Sequence, residues 1–257
     1  MSNREKAEAL ARLHTAPELL TVVNVWDVIS ATVVADLPGT KALATASHSI
    51  AASYGYADGE VIPVDTMVEA IGRIAAATDL PVSADLEAGY GDPGETVRKA
   101  IGVGVVGANL EDQMKPLADA VAAVEAVVAA GEAEGVPFVL NARTDAFVKA
   151  GDRPRADVVA DAVERGRAFL EAGATCVFVP GLLDEPTVVQ LVDGIGERRV
   201  SVINVPGSLP QSRLEQLGVA RVSFGPWTQR LALTAFADFA TAAIRGGNLP
   251  DGVRPLN

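Results

Sequence analysis

Eight short apolar runs, each followed by a longer stretch of helical periodicity, constrain this chain more than any other feature. They fall at residues 20–24, 42–46, 82–86, 105–110, 138–142, 175–179, 200–204 and 221–224. The runs are apolar throughout instead of alternating, so both faces of each strand are expected to be covered, as in a parallel sheet wrapped by helices. Eight such units in 257 residues suit one (β/α)8 barrel domain over residues 1–257. A short helix around residues 4–14 is expected to precede it, and the tail after Asn248, with Pro250, Gly252 and Pro255, should be irregular.

In such barrels the chemistry sits on the loops beyond the C-terminal ends of the strands. The polar residues of this chain gather at those ends: Asn24 and Asp27, Ser47 and His48, Asp85 and Glu87, Glu111 and Asp112, Arg143 and Asp145, and Asn204. Strand side chains alternate with period two, so Ser83, Asp85 and Glu87 should share a face, as should Asn109 with Glu111 and Asn141 with Arg143. If those faces point inward, three acids and one arginine meet. Unpaired, Asp85, Glu87 and Glu111 would raise one another's pKa values, whereas a divalent cation would keep all three ionised. Oxygen ligands without histidine favour magnesium, with manganese as the alternative. Arg143 beside that cation would make an electrophilic end for a carboxylate or enolate oxygen.

Other features exclude whole classes of partner. With 33 acids against 21 basic residues the net charge is −12, which argues against nucleic acid and anionic membrane surfaces. A lone cysteine, Cys176, and the absence of an apolar leader fit a cytoplasmic setting. Cys176 lies inside an apolar strand and reads as a core thiol. Gly102-Val-Gly-Val-Val-Gly107 spells a dinucleotide signature but closes a helix and opens a strand, the reverse of what that signature requires. Asp27 and Asp145 are each balanced between helix cap and site residue. His14 is expected at the surface or an interface. The final helix, residues 227–244, is apolar enough to pack on its own barrel or on a neighbour.

Several motifs follow one another in order: Asn24-Val-Trp-Asp27, Ala44-Thr-Ala-Ser47, Gly55-Tyr-Ala-Asp-Gly59, Ser83-Ala-Asp-Leu-Glu-Ala-Gly-Tyr-Gly91, Asn109-Leu-Glu-Asp112 and Asn141-Ala-Arg-Thr-Asp145. This series, running in order from residue 24 to residue 145, resembles the isocitrate lyase/phosphoenolpyruvate mutase superfamily. The resemblance implies a modified (β/α)8 barrel, often with its last helix swapped between subunits of a homodimer or homotetramer. It also implies a magnesium ion and cleavage or rearrangement beside a 2-oxo acid carboxylate. Residue by residue, it makes Asp85 the direct metal ligand, with Glu87 and Glu111 helping and Asp58 as a metal-side aspartate. It sets Ser47, with the N–H groups of His48 and Ser49, as the turn for the substrate carboxylate, and Arg143 as the arginine that grips it. Trp26 and Asn204, at the ends of the first and seventh strands, complete the expected substrate contacts.

Departures from the superfamily pattern narrow the chemistry. The lyase loop Lys-Lys-Cys-Gly-His is absent: the chain reads Glu111-Asp-Gln-Met-Lys-Pro-Leu117 and enters a helix. Pro180 stands where the mutase branch has a histidine, and His48 stands where that branch has glycine, which makes His48 a candidate proton donor or acceptor, or a structural imidazole. The expectation is a magnesium-dependent lyase of a small 2-oxo acid working through a pyruvate enolate, in the manner of an oxaloacetate decarboxylase. Phosphonopyruvate hydrolysis or mutation, and a barrel that binds oxo acids without turning them over, are the alternatives.

Overall fold

In the computed structural model, which describes residues 1–256, the chain opens with helix α1 (Asn3–Thr15). Its cap is reciprocal: the Ser2 hydroxyl accepts the N–H of Glu5, and the Glu5 carboxylate accepts the N–H of Ser2. The first apolar run splits at Val22 into β1 (Leu20–Thr21) and β2 (Val23–Val25). There follow α2 (Val28–Ala35), β3 (Leu43–Thr45), and two helices in succession, α3 (Ser47–Ser53) and α4 (Val64–Ala76). Regular alternation then holds: β4 (Val82–Asp85), α5 (Pro93–Gly102), β5 (Gly107–Glu111), α6 (Leu117–Ala133), β6 (Val139–Arg143), α7 (Arg155–Glu171), β7 (Cys176–Val179) and α8 (Glu185–Ile195). The last units are β8 (Val200–Ile203), α9 (Gln211–Gln216), β9 (Arg221–Ser223) and α10 (Trp227–Ile244).

All neighbouring strands pair in parallel, in the order β1-β9-β8-β7-β6-β5-β4-β3-β2. Because β1 pairs with β9 and β2 with β3, the two halves of one broken strand form the ends of the sheet, and the sheet curls into a TIM-type barrel. The ninth strand is thus a split first strand and not an extra βα unit. The glycine signature behaves as its position dictates: Gly102 ends α5 and Gly107 begins β5.

The bottom of the barrel is plugged by α1, which buries Ala7, Leu10 and His14. Gly107 makes room for it, since a Cβ there would come within 2.8 Å of Leu10 Cδ2 and 2.7 Å of the Val139 carbonyl oxygen. His14 therefore contradicts its expected surface or interface position: it is 1% exposed. The apolar spacing of α1 turns residue 14 inward along with 7 and 10, and the shortage of partners for an imidazole did not prevent it. Burial, with Arg221 adding its charge, pushes the His14 imidazole down to about 3. Arg221 is itself fully buried, with Nη1 donating to Ser83 Oγ at 3.2 Å, and burial lowers it to about 10.

A neutral His14 has a measurable consequence. Its folded pKa lies below the unfolded value near 6.5, so its contribution is complete above that value and is lost as pH falls toward about 3. Over that window wild-type stability should fall by up to about 1.4 kcal/mol per pH unit from this group. Urea unfolding at pH 7 and pH 5 should show a smaller acid loss for His14→Gln than for wild type; equal losses would contradict a buried neutral imidazole.

The core position expected of Cys176 holds. Cys176 is buried and burial pushes its thiol up to about 12. Helix α10 behaves differently from the rest: Leu231, Phe236 and Ile244 are 73%, 67% and 88% exposed, and Gln229 is its buried residue. No helix among the described residues is long and apolar enough to cross a membrane.

Candidate active site

Strand register brings the central pair together. Glu111 and Arg143 are direct neighbours across β5 and β6, and Arg143 Nη1 lies 2.8 Å from Glu111 Oε2. Asp145, two residues beyond Arg143, takes the other side of the guanidinium, accepting from Nε at 2.8 Å and from Nη2 at 2.7 Å. Burial alone would lower the Arg143 pKa, but Glu111, Asp145 and Asp85 outweigh it and the net shift is upward. Burial pushes Glu111 up to about 7; Arg143 opposes this, while Asp145 and Asp85 reinforce it. Acids compressed to that degree are a charge imbalance that a cation would relieve.

Asp85 ends β4. Its Oδ2 accepts from the N–H of Ser47 at 3.0 Å and the Ser47 hydroxyl at 2.8 Å, and its own N–H donates to Thr45 Oγ1 at 2.9 Å. Ser47 is thereby engaged in holding Asp85, and the N–H of Ser49 donates to the Ala46 carbonyl at 3.1 Å. Of the groups expected to receive a substrate carboxylate, Ser47 and the N–H of Ser49 thus have partners within the protein. His48 is half-buried on α3, with a buried Nδ1 that has no partner.

Glu87 departs from the simple alternation. β4 ends at Asp85, and Glu87 adopts a left-handed φ of 51°, so period two no longer dictates its direction. Its carboxylate accepts from the Tyr90 hydroxyl at 2.9 Å and from the N–H of Glu60. Burial raises the Glu87 pKa, with Tyr90 and Glu60 opposing and Asp85 and Asp58 reinforcing the shift. Gly89, at φ 91°, permits the turn; a Cβ there would stand 2.7 Å from Pro93 Cα at the start of α5. Asp58 lies exposed in the loop between α3 and α4, on the Glu60 and Glu87 side.

Trp26 and Asn204 line two separate clefts. Trp26 lines one with Ile29, Tyr54 and Arg73, and Asn204 another with Phe224, Trp227 and Leu231. Asp27 is the N-cap of α2, accepting the N–H of Ser30 at 2.7 Å. A cleft of about 340 Å³ opens beside Glu111 and Arg143, walled by Leu110, Ala120, Ala123, Ala142 and Phe169. Sequence reading had not singled out Tyr90, Glu60 or Arg165. Arg165 did carry a signal, being the charged residue on an α7 face otherwise made of Val158, Ala162 and Phe169.

Whether the residues fit magnesium turns on how closely the acids gather. Among the described residues no three His, Cys, Asp or Glu side chains are close enough to chelate an ion together. Asp85 does lie near enough to Glu111 to help raise its pKa, so the two carboxylates face a common region. One or two carboxylates with the remainder supplied by water is the usual manner of magnesium, so the donor set fits it.

The chain as a whole is similar to several known proteins. A family model described as phosphoenolpyruvate phosphomutase matches residues 10–244. The structure superposes with a TM-score of 0.87 on a putative phosphonomutase from Burkholderia cenocepacia, 38% identical, covering 96% of this chain and 100% of that one. An uncharacterised protein of Mycobacterium tuberculosis is 32% identical over 94% of this chain and 91% of its own. An oxaloacetate decarboxylase of Bradyrhizobium is 28% identical, covering 100% of this chain and 91% of its own.

Proposed function

The chain belongs to the phosphoenolpyruvate phosphomutase family, within a superfamily of lyases and mutases, and from that premise we propose that it is a magnesium-dependent lyase of a small 2-oxo acid. The observation that carries the reading is the Glu111–Arg143–Asp145 array, with Asp85 facing it. Its simplest reaction is loss of carbon dioxide from oxaloacetate, as the name of the Bradyrhizobium relative suggests. The bond between C3 and C4 breaks, its electron pair passes toward C2 to give pyruvate enolate, and a proton then reaches C3.

In this mechanism Asp85 and Glu111 would hold the metal, with Glu87 and Asp58 on its flank, and manganese would suit the same oxygens. Magnesium, when bound, supplies positive charge for the oxygens of the oxo acid. Arg143 grips the carboxylate and opposes charge developing on the enolate oxygen; its fork is held ready by Asp145 and Glu111, so no reorganisation is needed as that charge appears. Ser47 fixes the direction of Asp85 and, with His48 and Ser49, borders the substrate. His48 is the candidate proton donor. No large leaving group has to be protonated, so the missing cysteine loop does not handicap this reaction.

Exposed Leu231, Phe236 and Ile244 on α10 favour a homo-oligomer in which that helix is covered by another subunit. The charge of −12 and the single buried cysteine suit a cytoplasmic enzyme of small acids, without nucleic-acid or membrane partners. Similarity to a putative phosphonomutase supports a second reading, phosphonopyruvate as substrate with the C–P bond broken.

A magnesium-supplemented panel of 2-oxo acids and phosphonates, read by pyruvate formation, tests both. Pyruvate from oxaloacetate without phosphate release is expected. Phosphate from phosphonopyruvate would favour the second reading. Tight oxalate binding with no turnover of any member would leave a binding barrel and sink the lyase.

A further inference from the structure

Arg165 lies on the face of α7 that packs against the barrel, among Val158, Ala162 and Phe169, and is 9% exposed. An apolar residue would continue that face without dehydrating a guanidinium. Instead the side chain has three partners. Nη1 donates to Asp112 Oδ2 at 3.1 Å and to the Lys115 carbonyl at 3.0 Å, and Nε donates to Asp161 Oδ1 at 3.0 Å. Asp161 is in turn bridged by Arg153 at 2.9 Å.

Asp112 is the hub of this network. Its Oδ1 accepts the backbone N–H of Asp145 at 2.9 Å and that of Met114 at 2.9 Å. The turn it closes is unusual, since Gln113 and Met114 both have left-handed φ values, 50° and 56°, which persist only where surrounding contacts dictate them. One guanidinium on a helix thus ties the segment after β5 to the segment after β6, at the residue whose carboxylate holds Arg143.

We propose that Arg165 is a positioning residue: through Asp112 it fixes Asp145, and through Asp145 it sets the direction in which the Arg143 guanidinium faces the barrel mouth. The chain runs Arg165 to Asp112, Asp112 to the N–H of Asp145, and the Asp145 carboxylate to Nε and Nη2 of Arg143. A rigid clamp of this kind keeps a substrate-facing fork in place before substrate arrives. The functional meaning rests on Arg143 gripping the substrate, so the first readout avoids turnover.

Arg143 Nε–H, bonded to Asp145, should give a slowly exchanging signal in 1H–15N spectra, assigned by its loss in Arg143→Lys. In Arg165→Met that exchange should quicken by about tenfold or more while backbone amides of the barrel strands stay protected. Arg165→Lys keeps the charge but cannot serve Asp112, Lys115 and Asp161 together, so it should fall between. An unchanged rate in folded Arg165→Met overturns the proposal; should that variant not fold, an unchanged rate in Arg165→Lys does so. Oxalate affinity with magnesium should weaken about tenfold alongside in Arg165→Met. Faster exchange with unaltered oxalate affinity would uphold the clamp and overturn the role given to Arg143.

Discussion

Asparagine at position 85 is expected to lower kcat/KM for pyruvate formation by about a thousandfold or more, a loss of roughly 4 kcal/mol in transition-state stabilisation. The substitution separates charge from shape. Asp85 Oδ2 accepts from the N–H and the hydroxyl of Ser47, and an amide oxygen can accept both in the same place. What asparagine removes is the negative charge at the end of β4. That charge also helps push Glu111 up to about 7, so its removal relieves repulsion in the mouth. Thermal stability of the metal-free protein should therefore be unchanged or slightly higher in Asp85→Asn, while activity collapses. Loss of activity together with a large drop in melting temperature would point to a structural Asp85. Pyruvate formation that survives the change would sink the assignment of Asp85 to the metal.

The same substitution shows why strand arithmetic reads some of this site and not the rest. Asp85 and Glu111 could be placed because each ends a regular strand, where alternation still governs direction. Arg143 next to Glu111 follows from parallel register, which the order of strands makes predictable. Glu87 breaks the pattern because its φ of 51° lies beyond the strand, and no period applies there. Asp145 could not be told from a helix cap by composition; in the structure its carboxylate lies 2.7 Å from Arg143. Asp27 had the same local chemistry and resolves the other way, as the cap of α2.

Residues placed by motif or strand-end position alone lie on loops, where neither guide fixes direction. Asp58 is exposed on a loop, and Trp26 and Asn204 line two separate clefts, since loop paths depend on tertiary contacts that a motif does not encode. The split of the first strand at Val22 was likewise invisible in an unbroken apolar run. His14 and Arg165 are the opposite case. Both sit on apolar helix faces whose spacing announces burial, and the polarity of the residue itself obscured a pattern that was present.

Lysine at position 143 is expected to cost about a thousandfold in kcat/KM although it keeps the positive charge. Arg143 uses all three nitrogens of its fork: Nη1 toward Glu111, and Nε with Nη2 toward Asp145. An ammonium can satisfy one of these carboxylates at a time. Asp145, whose side chain is almost wholly buried, would then lose a charged partner, and breaking a buried pair by changing one member destabilises by about 3–5 kcal/mol. Loss of stability and loss of activity are thus expected together here, in contrast to Asp85→Asn. On the proposed function the distinction lies in direction: a substrate carboxylate or enolate oxygen would need the fork presented edge-on, and Asp145 would present it. Kinetics and urea unfolding of Arg143→Lys and Asp145→Asn side by side check this. Asp145→Asn leaves the arginine but weakens its anchor, so it should lose less activity than Arg143→Lys. Activity near wild type in Arg143→Lys would mean that charge alone suffices, and the role given to the fork would fall.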